Sequence, residues 1–220
     1  MRWNWTHADW PNFRFDSAAV EPFERQFLLS SGEILGAVRH VTADERDRLR
    51  VELLSEEAMR TSAIEGEVLD RASVQSSLRR QFGLSSDDAP SKPREQGVAE
   101  MMVDVYSTYA EPLTHDTLSR WHGMLLAHDH GLETIGAYRR HADAMQIVSG
   151  RIDRPTVHFE APPSAQVQGE MDVFVDWFNR TAPDGPTPLP ALTRAALGHL
   201  WFESIHPFED GNGRLGRALA

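Results

Sequence analysis

His206, Asp210, Gly211, Asn212, Gly213, Arg214 and Arg217 fall within one run, HPFEDGNGRLGR, residues 206 to 217. Gly211 and Gly213 admit backbone conformations closed to other residues, so GNG can turn several N–H groups inward as an anion nest. From about Gly213 onward RLGRALA reads as the first turns of a helix, which places the positive end of a helix dipole at that nest. Arg214 and Arg217 share one helical face and can grip successive phosphates of one chain. Asp210, directly before the nest, is placed to hold a magnesium ion, which takes one or two carboxylates together with phosphates and water. These residues predict a polyphosphate site, and with magnesium a nucleoside triphosphate. His206 adds an imidazole that accepts a proton near neutral pH, suited to a hydroxyl attacking phosphorus in line. Pro207 stiffens the turn and Phe208 anchors the loop in the core.

The elements that must position this run are mostly helical. Apolar residues recur at helical spacing from Phe23 to Val38 (Phe23, Phe27, Leu28, Ile34, Leu35, Val38), predicting a helix with one face in the core. Thr42 and Glu45 form a capping box for a second helix, patterned on Leu49, Leu53, Ala58 and Ile64 and ended by Gly66. Asp70 caps a third, to about Phe82. LSSDDAPSKP, residues 84 to 93, is a polar linker with two prolines. Further helices are predicted over 95–109, 114–128, 164–180 and 189–203, the last delivering the chain into His206. Between them, Gln146–Ser149 and Thr156–Phe159 are two β-prone runs around a turn, a hairpin that can act as a flap. The expected architecture is therefore mainly α, a helical bundle with a small β-hairpin. An N-terminal helical region, 1–85, precedes a core, 86–220.

Composition narrows the classes. The balance of 22 basic and 33 acidic residues, −11, opposes binding of nucleic acid or anionic lipid across the surface. The absence of cysteine excludes disulfides and thiolate metal sites, and no stretch nears the roughly 18 apolar residues of a membrane span. A cytoplasmic protein without a membrane or nucleic-acid partner is expected. His115, His122, His158 and HDH at 128–130 lack metal-ligand spacing. Trp3, Trp5, Trp10, Phe13 and Phe15 read as a small aromatic core.

The run 206–217 matches at every specified position the signature H-x-F-x-D/E-G-N-G-R-x-x-R, and the chain thereby resembles the Fic family. HLWFESI before it, GAYR at 136–139 and TVHFEAPP at 156–163 are similar to that family's approach helix and flap region. The resemblance implies a Fic-type helical bundle. It implies that His206 deprotonates a hydroxyl of a target protein, Asp210 holds Mg2+, and Gly211, Asn212, Gly213 and Arg214 cradle the phosphates of ATP, with Arg217 on the γ-phosphate. The implied reaction transfers AMP to a Ser, Thr or Tyr hydroxyl and releases pyrophosphate. Thr156, Val157, His158 and Phe159 would dock the target by strand addition. TSAIEG at 61–66 resembles the family's inhibitory pattern S/T-x-x-x-E-G/N, with Thr61, Glu65 and Gly66 at the specified positions and Glu65 competing with the γ-phosphate for Arg217. Self-modification and homo-oligomerisation stay open. The sequence stops at Ala220, barely two turns past the nest, and this keeps an alternative in play: a non-catalytic module that binds nucleotide or a partner because its pocket is unfinished or locked.

Overall fold

Asp16 and Thr42 each accept a hydrogen bond from N–H groups of the turn that follows, and each thereby opens a helix. In a computed structural model, which describes residues 3–84, 92–151 and 154–220, these are α1 (Ser17–Val38) and α2 (Ala43–Ile64). The Thr42 box is complete: Glu45 N–H donates to Thr42 Oγ1 at 3.3 Å and Thr42 N–H to Glu45 Oε2 at 2.9 Å. Asp70 likewise caps α3 (Arg71–Gln81) through Ser73 N–H. Pro93 begins α4 (Pro93–Thr108), where its missing N–H is harmless, and Thr114 caps α5 (His115–Leu126). α6 (Ser164–Arg180), α7 (Ala191–Ile205) and α8 (Asn212–Leu219) follow. Strands β1 (Gln146–Arg151) and β2 (Arg154–Glu160) form an antiparallel hairpin whose register breaks between Ile147 and Val148. The fold is mainly helical with one small hairpin, as the sequence pattern predicts. Of the 84–93 linker, residues 85–91 lie outside the described residues, and Lys92 and Pro93 are the cap and first residue of α4. No helix among the described residues is long and apolar enough to cross a membrane.

The core joins α2 to α8, with Ala58 of α2 and Val74 and Leu78 of α3 fully buried in it. Val98, Met101, Leu118, Leu125, Met171, Phe174, Phe202, Ile205, Phe208 and Leu215 are buried together. α4 and α5 approach so closely that a Cβ on Gly97 would lie 2.0 Å from the Met124 carbonyl oxygen, which restricts that position to glycine. Asn179 of α6 grips the chain before α5 through both backbone groups of Leu113, at 2.7 and 2.9 Å.

Three sequence expectations are corrected. α1 starts at Ser17 rather than near Phe23, because Asp16 supplies the cap ahead of the apolar pattern. Its apolar face is not core: Phe23, Leu28, Ile34 and Leu35 are exposed, and the buried residue is Glu24. On α2, Leu49, Leu53 and Ile64 are exposed as well, whereas Val51, Ser55, Ala58, Thr61 and Ser62 are buried. Small side chains let α2 lie close against α3, α4 and α8, a face that apolar spacing does not reveal. The N-terminal aromatics are not a core of their own either. Trp10 and Phe13 stack edge-on against Trp201 of α7 at 6.1 and 5.8 Å, and Phe15 is exposed.

Glu24 ties α1 to the helix that carries His206. Its carboxylate accepts from the N–H groups of Thr193 and Leu192 and from Thr193 Oγ1, capping α7 from another element. Burial pushes its carboxyl up, but these hydrogen bonds outweigh burial and hold it below the usual range. A carboxyl depressed in the folded state stabilises above its unfolded pKa and loses that contribution as pH falls through the folded one. Glu24→Ala is therefore expected to lower unfolding free energy by about 1–2 kcal/mol at pH 7. Urea melts at descending pH should show the difference from the parent shrinking below the carboxylate range.

Candidate active site

α7 ends by placing His206 in the left-handed region, φ 50°, with its N–H on the Phe202 carbonyl at 2.9 Å. Among the described residues it is the one non-glycine with positive φ. Such backbone strain, on the order of 1 kcal/mol or more, persists only where the surroundings impose it. Arg139 imposes it. Its guanidinium is buried and donates to the carbonyls of His206 (2.8 Å), Ile205 (3.3 Å) and Pro162 (2.5 Å) and to Ser164 Oγ (2.9 Å). Its own N–H reaches the Pro207 carbonyl at 2.9 Å. Burial lowers its pKa to about 10, which leaves it a cation at neutral pH.

The loop after His206 is stapled from within. Asn212 is buried, and its side-chain amide both accepts from Phe208 N–H and donates to the Phe208 carbonyl, each at 2.9 Å. Phe208 is buried and stacks on His122, ring centroids 4.2 Å apart, while His122 Nδ1 accepts from Gly136 N–H. Burial holds His122 near pKa 4, a neutral ring beneath the loop. The Asn212 side chain is thus engaged by the loop, so only its backbone N–H can face an anion.

Gly211, φ +74°, caps α8, whose first N–H groups, those of Asn212, Gly213 and Arg214, have no acceptor within the helix. Gly213 is helical, so φ does not call for glycine there, but a Cβ would sit 2.2 Å from Glu65 Oε1 and 3.0 Å from an Arg217 nitrogen and would push those side-chain ends aside. The Glu65 carboxylate therefore lies directly over the first turn of α8.

The segment after α2 brings two acids to the two arginines. Arg217 donates to Glu65 Oε1 at 2.5 Å, to Thr61 Oγ1 at 2.7 Å and to the Thr61 carbonyl at 3.1 Å. Gly66, φ +79°, turns the chain so that Glu67 reaches the buried Arg214 at 2.7 Å. Thr61, Glu65 and Arg217 thus meet, the arrangement that the resemblance of TSAIEG implies. Glu67 was not legible there, because nothing in TSAIEGE distinguishes a second acid from a solvated one. Arg139 likewise carries no local signal of its role beyond its place in GAYR.

Asp210 is half-exposed, with Oδ1 accepting from Gly211 N–H at 2.6 Å and Oδ2 4.0 Å from Arg214. No cluster of three or more His, Cys, Asp or Glu residues that could hold a metal occurs among the described residues. One outward carboxylate oxygen beside an anion nest fits a magnesium ion whose other ligands are phosphates and water. His206 is mostly buried, with Nδ1 turned inward, 3.9 Å from Glu203 Oε2. Burial, then the Arg139 charge, pushes the His206 pKa down to about 4, only partly offset by the Glu203 backbone, Asp210 and Glu65. Glu203 is itself raised by burial. In the hairpin, Thr156 pairs with Ser149, Val157 with Val148 and Phe159 with Ile147, while His158 Nε2 meets Ser149 Oγ at 2.6 Å. A cavity of about 750 Å3 lined by His40, Leu49 and Gln75 shares no residue with this site.

A helical bundle with a small flap and this histidine-to-arginine loop defines a Fic-type protein. Residues 112–220 match the Fic/DOC family model, and residues 3–84 match a domain of unknown function, DUF4172. The chain belongs to the Fic family. It is 28% identical over 163 residues to the protein adenylyltransferase Fic of Nematostella vectensis, covering 72% of this chain and 34% of that protein. A probable protein adenylyltransferase of Aquifex aeolicus is 34% identical over 61 residues, 28% of this chain and 18% of that protein. Among solved structures, a Fic family protein from Desulfovibrio desulfuricans superposes with TM-score 0.58 at 26% identity, over 95% of this chain and 57% of that one. A Fic domain containing signaling protein from Bacteroides thetaiotaomicron gives 0.61 at 22% identity, over 84% and 66%. The chain thus spans about a third of the first curated relative's length.

Arg139 yields a prediction independent of activity. Arg139→Met leaves buried carbonyls without their donor and is expected to lower unfolding free energy by about 3 kcal/mol or more. Arg139→Lys should recover only part, since an ammonium cannot span the same acceptors. Urea denaturation of the three forms measures both.

Proposed function

We propose that the chain is an autoinhibited protein adenylyltransferase that transfers AMP from ATP to a Ser, Thr or Tyr hydroxyl of a target protein. The observation that carries the reading is the convergence of His206, the open first turn of α8, Arg214 and Arg217 on one loop, with acids seated on both arginines. The adenylyltransferase names of the relatives point the same way.

In this reading the first-turn N–H groups of α8 and the two guanidinium groups bind the triphosphate. Asp210 would hold Mg2+, which when bound neutralises phosphate charge and the departing pyrophosphate. His206 is neutral at pH 7, and its Nδ1 is buried toward Glu203, which leaves Nε2 as the ring nitrogen that can meet a hydroxyl. Nε2 takes the target hydroxyl proton as that oxygen forms its bond to the α-phosphorus. The bond from that phosphorus to the bridging oxygen breaks, and pyrophosphate leaves with the electron pair. The outer edge of β2 at Thr156 to Phe159 holds the target backbone.

Glu65 keeps this machinery off by taking the guanidinium meant for the γ-phosphate and by laying its carboxylate over the anion nest. Glu67 extends the lock to Arg214. With Glu65 replaced by Gly, the further change Glu67→Gln should tighten ATP binding several-fold, measured by calorimetry with magnesium present. An unchanged or weaker affinity would make Glu67 a support for Arg214 rather than a competitor of phosphate.

The base is tested with α-labelled ATP in the same Glu65→Gly background, where His206→Ala should abolish label transfer while ATP affinity stays within about threefold. Because His206 is active when unprotonated and its pKa is lowered to about 4, kcat/KM should hold level down through pH 6.5 and fall only on approach to about 4. A loss with its midpoint at an ordinary imidazole pKa would remove the buried neutral base, and transfer by His206→Ala at the parent rate would remove the mechanism.

A further inference from the structure

The N-terminal 3₁₀ turn, Asn4–Thr6, lies between the end of α7 and the end of β2. Asn4 Nδ2 donates to Ser204 Oγ at 2.7 Å, on the last turn of α7 before His206. Trp5 Nε1 donates to the Glu160 carbonyl at 2.6 Å, and Trp3 stands edge-on against Phe159, centroids 5.6 Å apart. One short segment therefore bonds both to the helix that delivers His206 and to the strand above it.

The Glu160 carbonyl lies on a particular edge. Ala161 N–H donates to the Met145 carbonyl at 2.9 Å, and Gln146 pairs with Glu160. Backbone groups of successive strand residues alternate in direction, so those of Glu160 point away from β1, toward the unpaired edge of β2. That is the edge an added strand would use. Trp5 occupies its first outward acceptor. β1 is exposed along its whole length, so little else steadies the hairpin beyond its base at Arg139.

We infer that Trp3–Thr6 is a brace and end-stop for the docking edge: it fixes the flap over the end of α7 and confines an extended target segment to the part of β2 that precedes Glu160. Trp3 and Trp5 are then positioning residues that act through the flap, and the N-terminal region serves target recognition as well as inhibition. An end-stop of this kind selects acceptors by the distance between the hydroxyl and the paired backbone. The docking half of this inference rests on the strand-addition reading above; the brace does not.

The test uses the whole chain with Trp5→Phe, which keeps the ring and removes the N–H, and with Trp3→Ala. Hydrogen exchange of the 154–160 amides should quicken about fivefold in Trp5→Phe, the loss expected for one hydrogen bond, with 61–67 and 206–217 unchanged. Exchange in the flap equal to the parent would overturn the brace, whatever the activity. Transfer is then read in the Glu65→Gly background, with α-labelled ATP and a synthetic extended peptide bearing one threonine as acceptor. Trp5→Phe and Trp3→Ala should raise the peptide KM several-fold and leave the KM for ATP unchanged. A loosened flap with an unaltered peptide KM would overturn docking on β2 while leaving the brace in place. A change in the KM for ATP alone would overturn the positioning role.

Discussion

The start of α8 is a concentration of positive potential with no acceptor of its own, and much of the site answers to it. The unsatisfied N–H groups of Asn212, Gly213 and Arg214, the positive end of the helix dipole and two guanidinium groups converge there. A cluster of that kind in a partly buried place demands anions. Glu65 and Glu67 meet the demand within the chain, and a triphosphate would meet it from outside. In the proposed reading, inhibition and substrate binding are two solutions of one electrostatic requirement, and acids from α2's end would exclude a triphosphate without distorting the site.

The requirement can exist only because the loop ahead of α8 is rigid. Arg139 collects the carbonyls of the His206 turn and of the chain leaving the flap, so the His206 loop and the flap base share one cation. Asn212 closes the loop on Phe208, and Phe208 rests on a His122 kept neutral by burial. The same burial leaves His206 unprotonated. The strained left-handed backbone at His206 is held from below by Arg139 and from the side by α7, which Glu24 caps from a distant helix.

Much of this was legible before the fold was. Capping chemistry is local, and Thr42, Asp70 and Thr114 open helices where their sequence neighbours require. The loop 206–217 was equally readable, since its glycines, acid and arginines act within a few residues of one another. What escaped depended on distance along the chain. Glu67 meets Arg214 only after α2 has docked on α8, and Glu24 meets Thr193 only after α1 has crossed α7. Burial of α2 through Ser55, Thr61 and Ser62 inverts the apolar pattern, because a close helix contact selects small side chains over large ones. The N-terminal tryptophans advertised a core and proved to be contacts onto α7 and β2, which composition alone does not separate.

The most direct measurement is the rate of label transfer from α-labelled ATP by the parent chain and by Glu65→Gly, with and without Arg217→Ala. If Glu65 is the anion that stands in for the γ-phosphate, Glu65→Gly should raise the rate by roughly tenfold or more, the scale of one charge-assisted bond, and Arg217→Ala should cancel the gain. A Glu65→Gly rate equal to or below the parent's, or a gain that survives Arg217→Ala, would contradict the account.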